Sequence, residues 1–206
     1  PALSSAASDV YKRQGKAERF RFVGRERGYH GMNIGCISVG GMINNVKTFA
    51  SVLMPGVQHM RHTHLPEHKF VSGQPETGAD RADDLERIAM NFGPENIAAC
   101  IVEPIAGSTG TLVPPKGYLQ KLRETCDKHG ILLIFDEVIT GWGRTGSSFA
   151  SIEYGVTPDI MTMAKATTNG VVPMGVVACK DEIYDSVMDA SPMGSVELFH
   201  GYTYSG

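Results

Sequence analysis

An acidic and a basic side chain each follow an apolar run in the sequence and could share one site. The apolar run 131–135 leads into Asp136, and a shorter run that begins after Asp159 leads into Lys165. Runs this apolar are typical of parallel strands buried on both faces, whose carboxyl ends meet at the edge where open α/β sheets bind ligands. A carboxylate and an amine on neighbouring strand ends suit chemistry on a cofactor that carries an aldehyde.

Helices and strands alternate in the second half of the chain. Apolar residues at helical spacing indicate amphipathic helices, and short apolar runs indicate buried strands. The predicted helices cover 80–93, 115–130 and 181–189. The predicted strands cover 98–102, 131–136, 159–165 and 175–179. This alternation predicts an α/β fold, a mostly parallel sheet with covering helices.

The first half of the chain has a weaker pattern. We predict a turn at 28–31, an irregular stretch punctuated by glycine over 35–49, and a long surface excursion over 54–78. No strand is predicted in these segments.

Residues 1–14 are expected to be a non-native, adapter-derived tail. Residues 4–14 match, codon for codon, a reading-frame translation of a common transposon sequencing adapter, so they are excluded from fold reasoning. A genuine polar N-terminal tail is the alternative. Residues 15–206 are then expected to form one partial domain, an internal piece of a longer protein.

The composition excludes some classes of partner. Hydrophobic residues make up 42% of the chain, charged residues 20%, and the net charge is -3. No apolar stretch approaches the about 18 residues of a membrane span, and no basic stripe favours nucleic acid. The cysteines contain no CxxC pair and are expected to be small buried residues in a reducing, cytoplasmic compartment. They are Cys36, Cys100, Cys126 and Cys179.

A glycine motif points weakly to a different class of enzyme. Gly141, Gly143 and Gly146 match GxGxxG after a predicted strand, and Asp159 lies about where a ribose-binding acid would be sought. A dinucleotide fingerprint should open a helix at once, and its acid should close the next strand. Here residues 145–149 are loop-like, and Asp159 begins the predicted strand and does not close it. A dinucleotide-binding oxidoreductase is therefore the weaker interpretation.

Four histidines lie within ten residues and could in principle hold zinc. They are His59, His62, His64 and His68. The neighbouring Pro66 and Glu67 suit a surface loop, and no cysteine accompanies the cluster. We predict a solvated or substrate-facing loop and no metal site.

Several segments together resemble class III aminotransferases, which are fold-type I pyridoxal-phosphate enzymes. In the family's order they are Gly28-Tyr29-His30-Gly31, Ile101-Val102-Glu103-Pro104, Phe135-Asp136-Glu137-Val138, the GxGRTG segment 141–146, Pro158-Asp159-Ile160, Ala164-Lys165 and 200–206. Three more segments resemble the ω-amino acid or β-alanine:pyruvate aminotransferases, namely 39–45, 107–117 and 168–174. The resemblance covers 20–206 and implies the incomplete large cofactor-binding domain of such an enzyme.

The resemblance implies a role for each matching residue. Lys165 would hold the aldehyde of pyridoxal 5'-phosphate as a Schiff base, exchange it for a substrate amine and move the proton. Asp136 would stabilise the protonated pyridine nitrogen. The other cofactor-binding residues implied are Tyr29, stacked on the ring, His30, Glu103, Val138 on the opposite ring face, and Thr203, which reaches the phosphate of the neighbouring subunit.

The reaction implied by the resemblance is a ping-pong transamination. An ω-amino acid or amine would donate the amino group, and a keto acid such as pyruvate would accept it. A homodimer with shared active sites is implied as well. The family's upstream phosphate loop and C-terminal small domain have no counterpart here, so we expect the 206 residues alone to be inactive. A decarboxylase or aminomutase that uses the same Lys165 and Asp136 stays an alternative.

Overall fold

The strands of this protein form one sheet in a computed structural model, which describes residues 10–12 and 14–190. The strands are β1 Arg21–Arg25, β2 Val57–Met60, β3 Ile97–Val102, β4 Leu132–Asp136, β5 Ile160–Met163 and β6 Val176–Cys179. Their order across the sheet is β2-β1-β3-β4-β5-β6. The first five run parallel, and β6 pairs antiparallel to β5.

Helices connect the strands. They are α1 Ile34–Val39, α2 Ile43–Thr48, α3 Asp83–Phe92, α4 Tyr118–His129, α5 Ala150–Glu153 and α6 Asp181–Asp189. Short 3-10 turns lie at Ala50–Val52, Pro66–His68, Ala79–Ala82, Pro94–Asn96 and Lys165–Thr167. None of the described helices has the length and apolar character needed to cross a membrane.

The sheet has an apolar core on each face. In β4, Leu133 and Phe135 join the core beneath α3 and α4, while Ile134 joins the opposite core, to which Ile183 of α6 belongs. This split follows from the alternation of side chains along a strand, and it explains why β4 reads as a continuous apolar run. Because both faces of β4 are filled, its polar residues can stand only at its end.

Helices α3 and α4 are joined at one end by charged side chains. Glu86 of α3 accepts hydrogen bonds from Lys128 and His129 in the last turn of α4, at 2.7 and 2.8 Å. These two bonds lower the pKa of the Glu86 carboxyl below its usual value. Gly130 then ends α4 in a left-handed conformation, with φ 61°, where glycine is favoured. The chain is thereby turned directly into β4.

The predicted fold of the second half is confirmed, whereas the first half was predicted wrongly. The strand β1 lies inside the sheet, and α1 and α2 occupy a stretch expected to be irregular. The short strand β2 was missed inside the predicted surface excursion. The apolar pattern of β1 is difficult to recognise in the sequence, because the strand has an arginine at each end. Arg21 stacks over the ring of Phe92, and the buried Arg25 donates to the Glu103 carbonyl at 2.8 Å.

Part of the predicted tail contacts the fold. Val10 and Tyr11 are buried in the core on the α6 face, and the Tyr11 hydroxyl donates to the Gly130 carbonyl at 2.7 Å. The non-native origin of residues 1–14 stays a prediction, because apolar side chains pack against an apolar surface whatever their origin.

The Asp159 side chain, just before β5, contacts residues of β4 and α4 and the residue that follows β6. Its Oδ2 accepts from the Leu133 N–H at 2.7 Å and from Arg123 at 2.8 Å, and its Oδ1 lies 2.7 Å from Lys180 Nζ. Burial opposes ionisation, but hydrogen bonds from Lys180, the Leu133 N–H and Arg123 outweigh it and hold the pKa of Asp159 below its usual value. The ionised carboxylate therefore stabilises the fold.

Replacing Asp159 should make the protein less stable and less sensitive to acid. We expect Asp159→Asn to lower the free energy of unfolding at pH 7 by about 2 kcal/mol, because Arg123 loses a buried partner. The pKa of Asp159 is lowered in the fold, so its stabilisation is present above the unfolded-state pKa and is lost as pH falls through the folded-state pKa. The difference from wild type in urea unfolding should therefore be full above about pH 5 and shrink as the pH falls below the unfolded-state pKa of about 3.9.

The matched control is Asp127→Asn, which removes the exposed partner of the same Arg123, at 2.7 Å. An exposed ion pair contributes little, so this change should cost less than about 0.5 kcal/mol. A cost for Asp159→Asn that stays constant across the pH range would contradict the assignment.

Candidate active site

The carboxyl ends of β4 and β5 lie side by side. Asp136, the last residue of β4, pairs in register with Thr162 of β5. The Glu137 N–H donates to the Thr162 carbonyl at 2.9 Å, which continues the pairing past the end of β4. Lys165 begins the 3-10 turn that follows β5. Asp136 and Lys165 therefore emerge at the same edge of the sheet, as the sequence predicted.

Asp136 is a buried carboxylate paired with a histidine. Its Oδ2 lies 2.8 Å from His30 Nδ1, and its Oδ1 accepts from the Val138 N–H at 3.1 Å. The side chains of His30 and Asp136 are only 1% and 7% exposed. No lysine or arginine pairs with Asp136 within the described residues. Because a buried carboxylate is costly without positive charge nearby, this position suits a cationic ligand group.

Glu103, which follows β3, holds two loops beside this pair. Its Oε1 accepts from the Tyr29 N–H and its Oε2 from the Gly107 N–H, both at 2.8 Å. Burial raises the pKa of Glu103, although both backbone donors oppose the rise. Glu103 thus fixes the backbone next to His30, and its predicted contact with the cofactor stays a prediction.

Lys165 has a strained backbone and a free amine. Its φ is 49°, in the left-handed region that residues with a Cβ rarely adopt. The side chain is exposed, and its Nζ makes no hydrogen bond or ion pair with any described residue. The described residues leave the amine open to solvent, so whatever encloses it in a working site must come from outside them.

The remaining predicted site residues are Tyr29, Val138 and Thr203. Tyr29 and Val138 are half-buried; Tyr29 directly precedes His30, and Val138 follows Asp136 by two residues. Their stacking on a cofactor ring stays a prediction. Thr203 lies outside the described residues.

Glu137 was missed as a functional element by sequence reasoning. It is fully buried and accepts three hydrogen bonds, from Thr140 Oγ1 at 2.6 Å, the Ala150 N–H at 2.8 Å and the Ser151 N–H at 2.7 Å. Two of these donors are the first N–H groups of α5, which lack partners inside the helix. The available signal was the pair of adjacent acids, because successive side chains at a strand end point to opposite sides.

The glycine motif does not form a dinucleotide site. The segment 141–149 consists of turns and bends, and α5 begins only at Ala150. Asp159 is used in ion pairs with Arg123 and Lys180. The loop-like character predicted for 145–149 is therefore confirmed.

Two of the four clustered histidines, His59 and His68, are used in structural hydrogen bonds. His59 Nε2 lies 2.8 Å from the Gly40 carbonyl, and His68 is bonded to the Thr63 carbonyl and to Thr77 Oγ1. His68 is buried, so the expectation of a solvated loop is wrong for this residue. Within residues 10–12 and 14–190, no group of three or more potential ligands is placed to hold a metal ion.

Fold and site together define an α/β protein with a free lysine and a buried aspartate on adjacent strand ends. Residues 2–206 match the family model described as Aminotransferase class-III, and the chain belongs to that family.

The chain is similar in sequence to several curated aminotransferases. The chain is 58% identical over 196 residues to an omega-aminotransferase of Caulobacter vibrioides and 49% identical over 197 residues to an omega-amino acid–pyruvate aminotransferase of Pseudomonas putida. A beta-alanine–pyruvate aminotransferase of Pseudomonas aeruginosa is 48% identical over 201 residues. These matches cover 95–97% of this chain but only 44% of each relative. The chain thus spans less than half the length of these relatives.

Solved structures agree with the predicted fold class. An (S)-enantioselective omega-transaminase from Thermomicrobium roseum superposes with a TM-score of 0.87 at 36% identity, over 98% of this chain and 44% of that chain. The omega transaminase from Pseudomonas jessenii, solved in complex with PMP, gives 0.84 at 33% identity, over 92% and 42%. The mostly parallel α/β fold predicted for an incomplete fold-type I domain is confirmed.

Loss of charge should destabilise the protein more at Glu137 than at Asp136. We expect Glu137→Gln to lower the free energy of unfolding by about 3 kcal/mol, because the new amide nitrogen would face a buried N–H or hydroxyl donor. Asp136→Asn should cost less than about 1.5 kcal/mol, because a neutral His30 can still hydrogen-bond the amide. Urea unfolding of the cofactor-free protein measures both, and equal losses would contradict the division of roles.

Proposed function

We propose that this chain is part of the large domain of a pyridoxal-phosphate-dependent aminotransferase that acts on an ω-amino acid or amine, with pyruvate as acceptor. The observation that carries the proposal is the placement of Lys165 and Asp136 at the carboxyl ends of two adjacent parallel strands. The similarity to an omega-amino acid–pyruvate aminotransferase and to a beta-alanine–pyruvate aminotransferase supports the substrate class.

The described residues fit the cofactor ring. When bound, pyridoxal phosphate supplies an aldehyde and a pyridine ring that accepts electrons. Asp136 would accept the ring N–H, and His30 would keep that carboxylate oriented. Lys165, with no competing partner in the described structure, would meet the aldehyde. Tyr29 and Val138 would lie against the two ring faces, and Thr203, which lies outside the described residues, would contact the cofactor phosphate of the neighbouring subunit.

The chemistry of the chain's own groups follows from their surroundings. The buried Asp136 carboxylate favours positive charge on a neighbouring ring nitrogen, which makes the ring a better acceptor of electrons. Lys165, once a substrate amine has displaced it, is a free amine that can carry a proton at the same edge of the sheet. A decarboxylase or aminomutase would use the same two residues, and no feature of the described residues favours either one.

A homodimer is part of the proposal. Large apolar side chains of residues 32–54 are exposed, among them Met32 at 54%, Ile34 at 52% and Ile43 at 60%. Exposed apolar groups concentrated on one segment are typical of a surface that another subunit covers. Their proximity in sequence to His30 supports the idea that the dimer's active sites are shared.

A cytoplasmic location is also part of the proposal. All four cysteines are free, which suits a reducing compartment. Cys100 and Cys126 are buried as predicted, whereas Cys179 is exposed, so that the prediction of burial is wrong for this one.

Removal of the amine should abolish the activity of the full-length protein. We expect Lys165→Ala to lower the rate of alanine formation from pyruvate and β-alanine by at least about 10³-fold, since the proton carrier is lost. Asp136→Asn should lower it by about 10²-fold or more, because the charge beside the ring nitrogen is lost. Coupled detection of alanine measures both.

The control is Lys121→Ala, which removes an exposed lysine paired with Asp83 on the outer helices and should leave the rate unchanged. Full activity in Lys165→Ala would refute the proposal. Carbon dioxide released without alanine would identify the decarboxylase instead.

A further inference from the structure

Lys165 and Trp142 are among the non-glycine residues that have a left-handed backbone near the candidate site. The φ of Lys165 is 49°, and that of Trp142 is 61°. Such a conformation costs free energy in a residue with a Cβ and persists only where neighbouring contacts enforce it. Trp142 lies in the loop after β4, and Lys165 begins the turn after β5. The contact between loop and turn therefore bears on how Lys165 is held.

A hydrogen bond joins the loop to the turn. The Trp142 indole N–H donates to Thr167 Oγ1 at 2.9 Å. The Thr167 hydroxyl donates in turn to the Ala164 carbonyl at 3.1 Å, and the Thr167 N–H donates to the same carbonyl at 3.1 Å. Ala164 and Thr167 flank Lys165 on its two sides. The indole is thus linked, through Thr167, to the turn that contains Lys165.

Trp142 is itself anchored to the structure beside Asp136. Its ring packs edge-on against Phe149, with ring centroids 5.2 Å apart. Phe149 immediately precedes α5, whose first N–H groups are held by the buried Glu137. The Gly141 N–H donates to the Glu137 carbonyl at 2.9 Å, so the chain on the other side of Trp142 is fixed as well.

We propose that Trp142 is a positioning residue that acts through Thr167 to hold Lys165 in its left-handed, reactive conformation; this rests on the proposed function of Lys165. Without the indole donor, the turn is released and Lys165 relaxes toward an unstrained φ. Its Cα–Cβ bond then points in a different direction, and the amine spends less time at the edge occupied by Asp136. The apparent reactivity of the amine falls with the population of the competent conformation.

The reactivity of Lys165 can be measured without turnover. The full-length protein, freed of cofactor, is mixed with pyridoxal phosphate, and the Lys165 amine condenses with the aldehyde with loss of water. Borohydride then adds hydride to the C=N bond, which leaves a stable secondary amine. Peptide mass spectrometry of samples quenched at successive times gives the rate of labelling at Lys165.

We expect Trp142→Phe, which keeps the ring and removes the donor, to slow labelling at Lys165 by about fivefold, the effect of one neutral hydrogen bond. Thr167→Val should slow it at least as much, because it removes the acceptor of the indole and also the hydroxyl bond to the Ala164 carbonyl. The double variant should be no slower than Thr167→Val alone, because the indole then has no bond left to lose. Thr167→Ser keeps the hydroxyl and should label at the wild-type rate. The matched control is Ser147→Ala, which removes an exposed hydrogen bond to Glu153 in the same loop and should also label normally.

Wild-type labelling in Trp142→Phe, or single-variant effects that multiply in the double variant, would overturn the proposal. Amide exchange in the turn 164–170 gives a second measure, and it should be faster in Trp142→Phe and Thr167→Val than in wild type. Failure of the wild-type protein to label at Lys165 would instead refute the proposed function, so the two failures are distinguishable.

Discussion

The parallel pairing of β4 with β5 is the constraint on which the site depends. Its register sets Asp136 opposite Thr162, and the Glu137 N–H extends the pairing by one further bond at 2.9 Å. A shift of one residue would exchange the directions of Asp136 and Glu137, because side chains alternate along a strand. The buried apolar residues on both faces of β4 prevent such a shift. The packing of β4 in the core therefore also fixes the orientation of Asp136 in the candidate site.

The adjacent acids at the end of β4 show how one strand end serves two purposes. Glu137 is fully satisfied by three donors and fixes the loop that leads to α5. Asp136 is bonded to His30 and to one backbone N–H, and it keeps capacity for a cationic group. A carboxylate satisfied on all sides contributes to stability, whereas one left with unused acceptor capacity is suited to a ligand. The two acids therefore differ in role because they have different hydrogen-bond partners.

The described residues supply one side of the candidate site. Asp136 is buried, but Lys165 is exposed, and apolar side chains of residues 32–54 face solvent. The chain spans 44% of the length of each of three similar curated relatives. The strain at Lys165 is nevertheless present in the described residues, since the turn after β5 and the loop after β4 are both among them.

Local sequence patterns were enough to predict β3 to β6, the helices α3, α4 and α6, and the shared edge of Asp136 and Lys165, because periodic apolar residues and strand ends are local signals. Tertiary structure decided the rest. Strand β1 is recognisable only once Phe92 and the Glu103 carbonyl are there to receive its arginines. The contact of Trp142 with Thr167 joins residues 25 positions apart through two loops, and loop conformations depend on contacts that no local pattern records.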